Sequence, residues 1–140
     1  MREILFRGKR IDNGEWVEDS NTYIKDNDGV WLEDGCCDVV KVNPETIGQY
    51  TGLTDKNGKT IFEGDIVNII YEEYLIENCV VVFGDYNVFR DEWGYRYSTC
   101  GFALKFDDGS GYTNLTRKNI YEVVGNIHDN PELLEGICQQ

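Results

Sequence analysis

Turn-forming residues punctuate this chain so often that regular structure is confined to short segments. Asp12-Asn13-Gly14, Asp28-Gly29, Asp55-Lys56-Asn57-Gly58 and Asp107-Asp108-Gly109 each separate brief runs rich in β-branched and aromatic residues. Glycine and asparagine accept the positive φ values of tight turns, so this spacing predicts strands joined by hairpins and a mostly β fold.

The first run, Ile4-Leu5-Phe6, leads through the Asp12-Asn13-Gly14 turn to Trp16 and Val17, as an opening hairpin would. A second pair passes through Tyr23 and Ile24, turns at Asp28-Gly29 and returns through Val30-Trp31-Leu32, with a further strand over Val39–Val42. At Asn43-Pro44-Glu45-Thr46 a capping residue, a proline and a first-turn acid predict one helical turn before Gly48.

The stretch from Tyr50 to Lys59 is dense in turn formers, and it separates an N-terminal β-rich unit, residues 1–56, from a C-terminal unit, residues 57–140. Five short strands are expected in the second unit: Thr60–Phe62, Asp65–Tyr71, Cys79–Phe83, Phe102–Phe106 and Tyr121–Ile127. In Phe102, Leu104 and Phe106 apolar residues alternate with Ala103, Lys105 and Asp107, the period of a half-buried strand. Five such strands, with a helical turn over Thr116–Asn119 before the last, predict a small SH3-like or related β-barrel. Asn130-Pro131-Glu132-Leu133-Leu134 predicts a terminal helical turn capped by Asn130 and ended by Gly136, with its leucines docked on the body.

The formal charge is -13, from 26 acids against 13 Lys and Arg, which disfavours direct contact with nucleic-acid phosphates or anionic lipid. Asp26–Asp38 and Glu63–Glu77 contain no Lys or Arg and read first as solvated surface and loops, with an acidic face for a basic partner as the alternative. No apolar run approaches the roughly 20 residues that span a bilayer, and the opening Met1–Arg7 is unlike a signal peptide, so a cytoplasmic setting without a membrane partner is expected. Five cysteines, at 36, 37, 79, 100 and 138, lack paired spacing and read as reduced thiols.

Chemistry-bearing motifs are scarce. His128 is the one histidine, which leaves no histidine cluster for a metal and only a lone base beside Asp129. Asp26-Asn27-Asp28-Gly29, Asp55-Lys56-Asn57-Gly58 and Asp107-Asp108-Gly109 suggest calcium loops, but none carries the glutamate at the twelfth position, and the same residues are turn formers. No spacing singles out a carboxylate pair, and no phosphate loop, nucleophile elbow or dinucleotide fingerprint is present. The chain therefore yields no catalytic residue, cofactor-binding residue, metal ligand or cofactor. Tyr86, Phe89, Trp93, Tyr95 and Tyr97 lie in a run too polar to bury every ring; they read as core or loop anchors or, alternatively, as candidate interaction residues.

Three blocks carry a family resemblance: Arg2-Glu3-Ile4-Leu5-Phe6-Arg7-Gly8, the long block from Asn43 to Val67 containing Ile47-Gly48-Gln49-Tyr50-Thr51-Gly52-Leu53-Thr54-Asp55-Lys56-Asn57-Gly58, and Tyr121–Leu134. In this order they resemble the YopX family of small proteins carried mostly by bacteriophages and prophages. The resemblance implies a compact β-rich phage product and attaches no established biochemical activity. Its most distinctive positions here, with Pro44, are Gly48, Tyr50, Gly52, Gly58, Gly64 and Asp65, which read as turn and inter-unit packing residues. Between Glu72 and Thr99 no motif matches the family.

These readings converge on a non-enzymatic phage or prophage accessory protein that binds a host or phage protein, or its own copies as a homo-oligomer. The alternatives are a nucleic-acid-associated small barrel, an acidic nucleic-acid mimic and an enzyme acting on a small ligand.

Overall fold

The computed structural model describes residues 3–36, 38–90, 96–108 and 111–134, with residues 85–90 and 96–100 described by backbone alone. The chain divides into two compact units, Met1–Gly52 and Leu53–Gln140.

In the first unit, β1 (Phe6–Lys9) pairs antiparallel with β2 (Trp16–Ser20), and the strand β6 (Gly48–Thr54) lies on the other side of β1. The β1–β2 turn closes through the Gly14 amide, which donates to the Arg10 carbonyl at 3.0 Å, and Gly14 takes φ 74°, a value that favours glycine there. A second sheet has the order β3-β4-β5, formed by Tyr23–Asp26, Gly29–Glu33 and Val39–Val42. Alternation in β4 turns Val30 and Leu32 inward, where they meet Val17 and Val42 with Phe6, Val40 and Ile47 around them. Gly8 is buried in this cluster, and a Cβ there would stand 3.0 Å from the Ile47 Cδ1 atom.

The expected helical turn is a 3-10 turn over Pro44–Thr46, with the Asn43 side chain accepting from the Glu45 amide at 3.1 Å. Thr46 extends the cap in a way the sequence did not suggest. Its buried hydroxyl accepts from the Lys9 amide at 2.8 Å and donates to the Asn43 carbonyl at 2.6 Å, tying the turn to β1. Thr46→Val keeps the shape and removes that acceptor, so the variant is expected to lose about 2 kcal/mol in urea unfolding. An unchanged unfolding midpoint would show that water replaces the hydroxyl.

In the second unit, β7 (Thr60–Phe62) precedes an antiparallel sheet of order β11-β10-β9-β8-β12. Its strands are β8 (Asp65–Ile70), β9 (Leu75–Arg90), β10 (Arg96–Lys105), β11 (Tyr112–Asn114) and β12 (Ile120–Asn126). On one face Ile61, Val67, Ile69, Cys79, Val81, Leu104 and Tyr121 form the core. On the other face Ile66 and Val80 are covered by Leu134, which follows the 3-10 turn Pro131–Leu133.

Three expectations need correction. The small SH3-like barrel is not formed as a closed unit: β11 and β12 stand at opposite ends of the sheet, and no ladder joins them among the described residues. Thr116–Asn119 makes a single turn at Arg117 and Lys118 and no helix: the Lys118 amide donates to the Thr116 hydroxyl at 3.3 Å as in a helix cap, but β12 begins at Ile120 and the chain turns extended, with the Thr116 amide donating to the Tyr121 hydroxyl at 3.0 Å. Asn130 does not cap the terminal turn; its side-chain oxygen accepts from the Asn126 amide at 3.2 Å instead. Gly136 lies outside the described residues.

Candidate functional site

The long central block owes its residue types to a set of clasped turns. Asp55 is buried, and one carboxylate oxygen accepts from the Asn57 and Lys59 amides, both at 2.9 Å. The second oxygen accepts from Val123 of β12 at 3.0 Å, and the Lys56 amide donates to the Tyr121 carbonyl at 2.9 Å. The Asp55 turn thus supplies hydrogen-bond partners along the outer side of β12, a strand at the end of its sheet, where an unpaired edge would invite another chain. Gly58 sits in this turn at φ 82° and donates its amide to the Asp55 carbonyl at 3.0 Å. Burial raises the Asp55 pKa, but the amides of Val123, Lys59 and Asn57 outweigh it and hold the carboxyl below its ordinary value.

A second clasp forms at Glu63-Gly64-Asp65. Gly64, at φ 92°, donates its amide to the Val81 carbonyl at 2.8 Å, while its own carbonyl accepts from Ile127 at 2.9 Å. Asp65 is buried and accepts from the Phe62 amide at 2.8 Å. Of the other residues singled out from the block, Pro44 opens its 3-10 turn, Gly48 is buried opposite Arg7, Tyr50 donates its amide to the Leu5 carbonyl at 2.8 Å, and Gly52 takes φ 91°. These positions shape backbone; they do not converge on a reacting centre.

The Asp26 loop is a turn of the same kind: Asp26 accepts from the Asp28 amide at 2.8 Å, as Asp55 accepts from Asn57 within its own turn, while Gly109 of the third calcium-like loop lies outside the described residues. Among the described residues no group of His, Cys, Asp and Glu could hold a metal ion. Cys79 lies in the core with its thiol pushed up to about 12 by burial and then by Asp107 and Asp108, which suppresses the thiolate. Cys36 is exposed, Cys100 falls on β10 with its backbone alone described, and Cys37 and Cys138 lie outside the described residues. His128 donates its amide to the Asn126 side chain at 3.0 Å, within the turn that follows β12.

Three of the candidate interaction residues, Tyr86, Phe89 and Tyr97, fall where β9 and β10 extend beyond the strands expected from sequence. Tyr86 pairs with Thr99 and Phe89 with Tyr97 in the backbone register, while Trp93 and Tyr95 lie outside the described residues.

Sequence reasoning missed a different surface. In the cross-strand register Ile120 of β12 faces Ile70 of β8, and Ile70 faces Leu75 of β9, so the three side chains form one row on one face of the sheet. Ile66 lies on this face too and is covered by Leu134, but at the other end of β8 the row is open: Ile120 is 54% exposed and Leu75 48%. Tyr74, 60% exposed, stacks on Tyr71 with ring centres 4.6 Å apart, but Tyr71 packs on the core, so this pair belongs to the opposite face of the sheet. Beside the row is a hollow of about 300 Å³ lined by Ile70, Tyr71, Glu72, Lys118, Asn119 and Ile120. Its one carboxylate and one ammonium do not form an ion pair, and it contains neither a thiol nor an imidazole. Such a lining suits apolar contact with a charged rim. Among the described residues no helix is long and apolar enough to cross a membrane.

Comparison with known proteins gives a family and a structural likeness. The family model described as YopX protein matches residues 5–135. No curated protein matches the chain. A crystal structure of protein EF1440 from Enterococcus faecalis is similar at 26% identity, covering 96% of this chain and 100% of that one with a TM-score of 0.49.

Proposed function

The chain belongs to the YopX family, and from that footing we propose that it is a non-enzymatic accessory protein of phage or prophage origin that acts in the cytoplasm by binding protein. The observation that carries this reading is the row Ile120–Ile70–Leu75, with Ile120 and Leu75 exposed on either side of a half-buried Ile70. Exposing large apolar side chains together costs solvation that a monomer has no reason to bear, and a contiguous apolar patch with a charged rim marks a contact surface. Tyr86, Phe89 and Tyr97, on the β9–β10 arm, remain candidates for a contact surface of their own.

The test is recovery of the tagged full-length protein from the bacteria that express it, with and without nuclease, beside a Leu75→Ser/Ile120→Ser variant. A stoichiometric protein partner or untagged copies of the chain should survive nuclease and be lost with the variant. Recovery that depends on nucleic acid would replace this reading with a nucleic-acid-associated one, and a bait recovered alone would overturn it.

A further inference from the structure

We infer that the open end of the β12-β8-β9 face is the contact between two copies of this chain, related by a two-fold axis running along β8. This inference rests on the protein-binding reading of the same surface and names its partner.

The argument begins with the order of the strands. Because β8 lies between β12 and β9, its Ile70 is the middle of the row, with Ile120 on one side and Leu75 on the other. A two-fold axis along β8 sets Ile70 against Ile70 of the second copy and Ile120 against Leu75, so one apolar row covers another at the open end, while the Leu134-covered ends, which face each other too, make the two sheets splay apart away from it.

Charge selects this occupant over others. Exposed Arg117 and Lys118 precede Ile120 on the β12 side, whereas exposed Glu72, Glu73 and Glu77 flank Tyr74 and Leu75 on the β9 side. Among the described residues none of these five side chains takes part in an ion pair. The same axis that matches the apolar rows brings the cations of each copy over the acids of the other. A partner of a single charge sign would be attracted at one side of the row and repelled at the other. Two copies of a chain with a formal charge of -13 repel each other at long range, so self-contact requires a face where positive charge is concentrated and complementary. This face meets that requirement through its bipolar rim.

The hollow beside Ile70 fits the same picture. Its rim carries Lys118 and Glu72, one from each side of the axis, so in the paired state each ammonium has a carboxylate of the other copy to meet. The Asp55 turn occupies the outer side of β12, so at this strand association proceeds through its face and not by adding a strand to its edge.

The experiment is sedimentation equilibrium of the full chain over a concentration series, with circular dichroism confirming that each variant is folded. The native protein should reach twice its 16.1 kDa mass. Ile120→Asp, at an exposed position, should raise the dimer dissociation constant by roughly 30-fold or more. Lys118→Glu alone should weaken the dimer roughly tenfold, and Glu72→Lys added to it should restore assembly, because each copy then carries the reversed pair. A native protein that stays monomeric to high concentration overturns the inference, as does a dimer indifferent to both Ile120→Asp and the charge reversal. A monomer that still recovers a nuclease-resistant partner from cells overturns self-contact while leaving the protein-binding reading standing; a monomer that recovers nothing overturns both.

Discussion

Replacing Asp55 by Ala is expected to lower the unfolding free energy by roughly 3 kcal/mol, because three backbone donors lose one carboxylate at once. The cost is unequal among them. The amides of Asn57 and Lys59 belong to exposed residues of the turn, where water can replace part of what is lost. Val123 belongs to a strand and lies against the core, so its amide is the donor left most poorly served. Asp55→Asn does not restore the arrangement. With one side-chain oxygen kept toward the turn, its amide group faces the Val123 N–H, setting donor against donor. Urea unfolding of the two variants decides the matter: an Asn variant as stable as the native protein would show that the Val123 bond contributes nothing.

The same carboxylate gives the fold an acid limit. Its folded pKa is depressed, because the three amides outweigh the cost of burial, so the folded state binds fewer protons than the unfolded state over the window between the two values. The associated stability is present above the unfolded value, which is near 3.8, and is lost as pH falls through the lower folded value. Unfolding measured from pH 6 downward should therefore fall less steeply for Asp55→Ala than for the native protein. Equal slopes would locate the acid sensitivity in other carboxylates.

What could be read in the sequence was what neighbouring residues decide. The Asp12-Asn13-Gly14 turn, the β3–β4 hairpin and the Pro44 turn each close over a few residues, so local residue types suffice to place them. Asp55 looked like one turn former among several. Its bond to Val123 spans 68 positions, and no local pattern reports an acceptor that far from its donor. The apolar row failed to show for a related reason: Ile70, Leu75 and Ile120 become neighbours only through the register of β8 with β9 and β12, and Ile120 stands beside turn residues that make it look like a strand end. The expected strands end at Phe83 and resume at Phe102 because the polar residues between them break the apolar alternation, yet β9 and β10 pair through that stretch by backbone hydrogen bonds that need no such alternation. Barrel closure was inferred from strand count, but count does not say whether the first and last strands of a sheet meet; here β11 is three residues long and β12 has its outer side engaged by the Asp55 turn.

Tyr121→Ala should be the most damaging single change in the second unit, at roughly 4 kcal/mol, and Tyr121→Phe should cost about 1 kcal/mol. The ring is 2% exposed and packs with Ile61, Val67, Ile69, Cys79, Val81 and Leu104, so truncation opens a cavity among side chains drawn from several strands. Phenylalanine keeps that volume and removes only the hydroxyl that accepts from the Thr116 amide. The contact of β12 with the Asp55 turn passes through the Tyr121 carbonyl, which neither substitution removes, so the difference between the two variants isolates ring packing. Against a typical total of about 5–15 kcal/mol, the Ala variant would be left close to the threshold of folding. Denaturation of both variants beside the native protein provides the test. If Phe lost as much stability as Ala, the hydroxyl and its hold on the 116–121 turn would dominate, and the core would have to be centred elsewhere.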